Sequence, residues 1–546
     1  MKTNASPSIG SPRFNIECDA GDQEPSNLLK AEMQKLAPQI HFISERLRLL
    51  SPTGVMISKR KIVVRGSSIV PGVFVVLALA ASFCTKANAK NQPNVLIVMA
   101  DDCTHNDLPI YGGKNARTPN IDQLASEGLI FRNAFLTSAM CQPCRAELYS
   151  GMFPMGNGCA WNHSASFDET RSLPHYLSGY GYRVGIAGKV HVQPKKAYPF
   201  ETVDGFDASC VRDPTREHDL RGVNEFITRN GTQPFCLVVA LVEPHVPWVM
   251  GDASVYPPEK LELPSNLADT ELTREAYSRY LAEITYMDSQ VGELISLLDE
   301  SGKASETLVI FTSEQGSQFP GNKWTNWDTG LHTGLVLRWP NVIESGRSTE
   351  AIVHYADVVP TLIEAAGGDL SKLSVDGRSF LSVILDEQSR HRRYAYGAHN
   401  NVPEGPPYPI RTISNGEFRY VRNLQPHRLY IEKHLMGLRG SGALNNPYWQ
   451  TWIWDSWNTP QTYDLVQRYM QRPPEALYHT KKDPYELENL IAEPQYEMIL
   501  NELRQKLDHW LKTQGDPGVE MDSHATHQAA KRGDHLFRPP TRRSSE

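Results

Sequence analysis

The sequence predicts an α/β protein: a large mixed, mostly parallel sheet sandwiched by helices, with a smaller C-terminal antiparallel sheet plus helix. Three observations carry this. Four short, continuously apolar runs have the composition of strands buried on both faces: NVLIVMA (94–100), YRVGIAG (182–188), FCLVVALV (235–242) and TLVIFTS (307–313). Helical patterns lie between them. TPNIDQLASEG (118–128) has proline in its first turn and glycine at its end, and REAYSRYLAEITYMDSQVGELISLLDESG (274–302) is long and amphipathic. After about residue 380 the texture changes. YPIRTISNGEFRYVRNL (408–424) has the pattern of a hairpin turning at Asn415-Gly416, and YEMILNELRQKLDHWLKT (496–513) that of one amphipathic helix.

At the N-terminus, residues 1–55 show no strong apolar periodicity. From Met56, the cations Lys59, Arg60, Lys61 and Arg65 precede an apolar run, Ile69 to Phe83, followed by the small-x-small pattern Ala87-Asn88-Ala89. The run is short for a membrane span and reads as a secretory signal, which makes residues 1–55 an upstream extension and Met56 a candidate true start. An uncleaved signal would instead anchor the chain. Cys84 follows bulky Phe83 and makes a poor lipidation site. The expected organisation is an extension and signal over 1–89 (signal about 56–89), a main domain over 90–380, a subdomain over 381–514, and a polar, disordered tail over 515–546 that ends in KRGDHLFRPPTRRSSE. The expected location is periplasmic or extracellular.

Composition narrows the partners. A formal net charge of -7 with 40% hydrophobic residues argues against nucleic-acid binding, which needs a basic surface. Six cysteines follow the expected cut: Cys103, Cys141, Cys144, Cys159, Cys210 and Cys236. Their scatter is no disulfide framework, and Cys141 with Cys144 lacks the second pair of a zinc site.

Each of the four strands ends in polar groups. Asp101-Asp102 follow the first, Lys189-Val190-His191 the second, Glu243-Pro244-His245 the third and Glu314-Gln315 the fourth. Ligands of open α/β sheets bind outside the carboxyl ends of the strands, so these groups are candidates for one site. Adjacent carboxylates repel and call for a cation, and oxygen ligands suit Ca²⁺ or Mg²⁺. Taken alone, the Asp pair also fits a cap or solvated turn. Lys189 and His191 lie two apart and share a face of an extended segment, which suits one anion. Each also fits a surface lysine or a hydrogen-bonded histidine, and His245 fits a turn.

CQPCRAELYSG (141–151) resembles the signature of the type I sulfatases, C-x-P-S/A/C-R followed by a small-residue helix. The likeness extends from Asn94 to about Thr513 through NVLIVMADD, TPNIDQLASEGLIFRNAF, GIAGKVHV, EPHVPW, LVIFTSEQG and LVLRWP. It implies the alkaline-phosphatase-like fold, one Ca²⁺, and a maturation enzyme that oxidises Cys141 to Cα-formylglycine. One hydroxyl of the hydrated aldehyde attacks sulfur, and deprotonation of the other expels the sulfate. By resemblance, Asp101, Asp102, Cys141, Glu314 and Gln315 form the metal site and Arg145 orients the nucleophile. Lys189, His245 and Lys323 hold the sulfate, His191 assists the nucleophile, and one of the histidines protonates the leaving group.

Two positions depart from the family pattern. Glu314-Gln315 stands where Asp followed by Asn or His is usual, and Cys144 where Ser or Ala is commoner; a Cys141–Cys144 disulfide formed first would block maturation. YGYRVGIAGKVHVQP, GSQFPGNKWTN and LYHTKKDPYELENL look most like the heparan N-sulfatase branch, which implies an exo-acting hydrolase of N-sulfoglucosamine. His399, Asn400 and Arg411 are loop candidates for sugar binding. The alternatives are an O-sulfatase on another polysaccharide or an aryl sulfate, a two-zinc phosphatase or phosphodiesterase of the same superfamily, and a non-catalytic glycan-binding relative. Cys141 and the single-metal ligand set count against the phosphatase.

Overall fold

The computed structural model describes residues 92–437 and 446–531. The signal pattern, Met56 and Cys84 lie outside them. Nine strands form the large sheet: β1 (Asn94–Ala100), β2 (Leu129–Phe135), β3 (Arg183–Gly188), β4 (Glu201–Val203), β5 (Phe235–Ala240), β6 (Thr307–Ser313), β7 (His332–Thr333), β8 (Leu335–Arg338) and β9 (Arg347–His354). Their order is β4-β3-β5-β1-β6-β8-β2-β7, with β9 also on β2. The four apolar runs of the sequence are therefore the adjacent strands β3-β5-β1-β6, and all three pairings among them are parallel. β8 enters antiparallel to β6, which makes the sheet mixed.

Alternation explains why these runs are apolar throughout. Leu96, Val98, Leu237, Val239, Val309 and Phe311 point into one core, and Val95, Ile97, Met99, Cys236, Val238, Leu308 and Ile310 into the other. The first core is covered by the helix Glu271–Glu300, starting three residues before the expected 274 because Thr270 caps it by accepting from Thr273 N–H. The second is covered by the helices Cys141–Ser150 and Val358–Ala365.

The C-terminal sheet runs β10 (Ala395–His399), β11 (Ile410–Ser414), β12 (Phe418–Asn423), β13 (Glu475–His479), antiparallel throughout. The expected hairpin turns at Asn415-Gly416, where Gly416 takes φ 85°, and the expected helix is Glu497–Gln514. The tail departs from expectation. Among the described residues beyond 514, a short 3-10 turn forms at Gly518–Glu520 and a helix over His524–Lys531. Two buried carboxylates hold it down: Asp516 pairs with Arg411, and Asp522 accepts the backbone N–H groups of Asn401 and Tyr408 at 2.7 Å each. Among the described residues, no helix is long and apolar enough to cross a membrane.

Candidate active site

The parallel strands deliver their ends to one edge, and backbone bonds continue the sheet into the loops. Asp101 N–H donates to Glu243 O at 2.9 Å, Glu314 N–H to Ala100 O at 3.0 Å, and Lys189 N–H to Ala240 O at 2.9 Å. Gly188 makes the last turn possible. Its φ is 80°, and a Cβ there would stand 2.1 Å from Ala240 O.

Asp101, Asp102, Glu314 and Cys141 place their ligand atoms within 4.8 Å of one another, and all four are buried. The Cys141 Sγ lies 3.6 Å from Asp101 Oδ1 and 3.8 Å from Asp102 Oδ1. Cations close the ring. Lys189 pairs with Asp101, Arg145 pairs with Glu314 and donates to Lys189 O at 2.6 Å, and Lys323 Nζ meets Asp102 Oδ2 at 2.6 Å. His245 Nε2 stands 3.4 Å from the same Asp102 oxygen. Its Nδ1 faces Val246 O at 2.6 Å and so carries the proton, which leaves Nε2 as the working atom. The sequence candidates Asp101, Asp102, Cys141, Arg145, Lys189, His245, Glu314, Gln315 and Lys323 are thus brought together. His191 follows Lys189 by two residues and packs its ring 5.4 Å from that of His163, centroid to centroid, and burial, reinforced by Lys189, holds its imidazole well below the usual range.

The charges are coupled. Burial opposes ionisation of Asp101, but Lys189, with His245 and Arg145, holds its carboxyl well below the usual range. Burial, reinforced by the charge on Asp101, pushes Glu314 up. Three carboxylates this close are a donor set for a hard cation, which would relieve that repulsion. Gln315 fits less simply. Its Nε2 donates to Asp102 Oδ1 at 2.6 Å, while Oε1 lies 3.3 Å from Cys144 Sγ. Turning the terminal amide by half a rotation brings oxygen to the ligand position. Burial and Glu314 also push the Cys141 thiol well up, so an unmodified cysteine here stays protonated and is a poor nucleophile. Cys141 and Cys144 are both free thiols.

Three sequence candidates are not in this site. His399, Asn400 and Arg411 were expected on sugar-facing loops, but His399 ends β10, Arg411 lies within β11, and all three are buried. Arg411 is consumed by Asp516 at 2.6 Å, by His399 O at 3.0 Å and by Asn400 Oδ1 at 3.2 Å. It is a structural cation. Sequence reasoning missed Cys210, whose thiol is brought down to about 6: burial opposes this, and His245 and Lys189 overcome it. It also missed Asn162, whose Nδ2 donates to Glu404 Oε1 at 2.9 Å. A polar stretch shortly after the Cys141 helix was the available signal.

A sheet edge that gathers carboxylates, basic side chains and a helix-borne cysteine defines a hydrolase of anionic esters built on the alkaline-phosphatase-like plan. The Sulfatase family model matches residues 93–368, and the chain belongs to that family. An ulvan-active sulfatase of Formosa agariphila is 28% identical over 449 residues, covering 80% of this chain and 83% of the relative. The N-sulphoglucosamine sulphohydrolase of Homo sapiens is 28% identical over 475 residues, covering 78% and 91%. Among solved structures, a protein in complex with its substrate D-glucosamine-2-N,6-O-disulfate superposes with TM-score 0.59 at 20% identity, covering 78% of this chain and 99% of the other. The phosphonate monoester hydrolase of Agrobacterium radiobacter gives 0.58 at 18%, covering 77% and 96%. At these identities the superpositions report the shared fold.

Proposed function

We propose that this chain is a formylglycine- and calcium-dependent enzyme that releases sulfate from sulfated glycans, acting from the chain end on N-sulfoglucosamine of heparan-type chains. The observation that carries the reading is the arrangement around Cys141: three buried carboxylates, with Lys189, His245 and Lys323 beside them. Asp101, Asp102, Glu314 and a turned Gln315 would hold Ca²⁺, which would draw charge from the sulfuryl oxygens, and the aldehyde hydrate at 141 would supply the attacking hydroxyl. Lys189 and Lys323 contribute fixed positive charge where the sulfate oxygens lie. As an imidazolium, a form that Cys210 and Asp102 favour against burial, His245 would give its Nε2 proton to the departing sugar nitrogen or oxygen while Nδ1–H stays on Val246 O, and Arg145 braces Glu314 and Lys189 beneath.

The N-sulfate assignment rests on likeness to the human N-sulphoglucosamine sulphohydrolase. A second reading, an O-sulfatase on a polysaccharide such as ulvan, is favoured by the equal identity to an ulvan-active sulfatase. We also propose that the chain is exported through the 56–89 signal, that a maturation enzyme is its partner in converting Cys141, and that 90–380 and 381–514 are its domain and subdomain.

The test is sulfate release by protein co-expressed with a maturation enzyme, assayed on N-sulfated heparan oligosaccharides, on ulvan oligosaccharides and on an aryl sulfate. Release from the first is expected. Release only from ulvan removes the N-sulfate reading and leaves the O-sulfatase, and release from none contradicts the enzyme itself.

A further inference from the structure

The turn Trp161–Ser164 follows the Cys141 helix closely. Trp161, Asn162 and Ser164 are buried, while His163 alone is exposed. The turn is pinned from three directions. Gln142, next to Cys141, donates its side-chain amide to Ser164 O and directs its backbone N–H at Asn162 Oδ1, 3.5 Å away. Gln193, two residues after His191, donates to the same Ser164 carbonyl at 2.8 Å. From the C-terminal side Glu404 accepts from Asn162, and is itself held by His434 at 2.7 Å and Lys433 at 3.3 Å.

His163 sits at the tip of this turn with φ 63°. A non-glycine residue there is strained and persists only where the surroundings over-determine it, typically at functional sites. Asp102, His191 and Trp324, at or beside the site described above, share this left-handed backbone. The His163 ring centroid lies 5.4 Å from that of His191, and Glu404, Lys433, His434 and Lys189 are the charged groups acting on it. The result is an exposed imidazole on a pinned turn, beside the His191 ring. An imidazole so placed offers hydrogen-bonding nitrogens to a sugar.

We propose that His163 contacts the saccharide that carries the sulfate, hydrogen-bonding a hydroxyl or amine close to the scissile bond, and so helps to set specificity. This rests on the glycan reading above. The test compares kcat and KM of the wild type, His163→Asn and His163→Ala on the oligosaccharide that the wild type cleaves fastest and on 4-nitrocatechol sulfate, which has no sugar. Asparagine tolerates the left-handed backbone, so the first variant keeps the turn.

The expected result is a loss of kcat/KM on the oligosaccharide that exceeds the loss on the aryl sulfate by about 10- to 100-fold, mainly through KM. Equal losses on both substrates, or no loss on the oligosaccharide, overturn the assignment. A wild type that cleaves the aryl sulfate but no oligosaccharide contradicts the glycan reading and this assignment with it.

Discussion

Cys141 and Cys144 stand one helical turn apart and meet different surroundings. Cys141 faces Asp101 and Asp102, whereas the Cys144 thiol has as its acceptors the Cys141 carbonyl at 3.1 Å and Gln315 Oε1 at 3.3 Å. Cys144 thus makes no hydrogen bond to Asp101 or Asp102, and the formylglycine reading expects it to be dispensable for conversion of its neighbour. Cys144→Ala is expected to carry the aldehyde at 141 as fully as the wild type, read by mass spectrometry of that peptide; free thiol at 141 in this variant would contradict it. Lys323 is held against Asp102. Lys323→Met is expected to lower kcat by about 100-fold or more on every sulfate ester, measured after circular dichroism has established the fold. The strand-end residues were legible because four apolar runs each close in polar groups, whereas any one pair alone also fits a cap or solvated turn. Lys323 was not legible in that way. It follows no strand, and only the likeness to a family pointed to it.

The C-terminal elements show how one misreading produces another. Arg411 lies in a strand of the hairpin expected at Asn415-Gly416, yet it stood as a loop candidate for sugar binding. Its partner is Asp516, in a stretch whose polar composition reads as disorder. Composition reports the lack of apolar surface but not a carboxylate that a buried guanidinium requires. Truncation after Gln514, or Asp516→Ala alone, is expected to cost about 3–5 kcal/mol by stranding the Arg411 charge, measured as a fall in the denaturant midpoint at constant slope. An unchanged midpoint would mean that the segment beyond 514 adds nothing to stability.

At the scale of the molecule, function follows from strand order. β3, β5, β1 and β6 come from four distant stretches of sequence, and their adjacency and common direction put Lys189, His245, Asp101, Asp102 and Glu314 at one edge. Fold class was legible from the buried-strand runs. The insertion of β8 between β6 and β2 was not, since Leu335–Arg338 is too short to have a period. The proposed calcium, held by three carboxylates, would link binding to folding. Removing calcium with EGTA is expected to lower both activity and melting temperature, and restoring it to about 100 times its dissociation constant to return about 2.7 kcal/mol. Indifference to EGTA in both readouts would exclude a calcium site.

A formylglycine-dependent hydrolase requires that residue 141 is no longer a cysteine in the working enzyme. Mass spectrometry of the proteolytic peptide spanning Met140–Ser150, from active protein made with a maturation enzyme, tests it most directly. The expected spectrum contains the aldehyde or its hydrate at position 141. Fully active protein whose peptide carries only a free thiol there, or a bond to Cys144, would contradict the account.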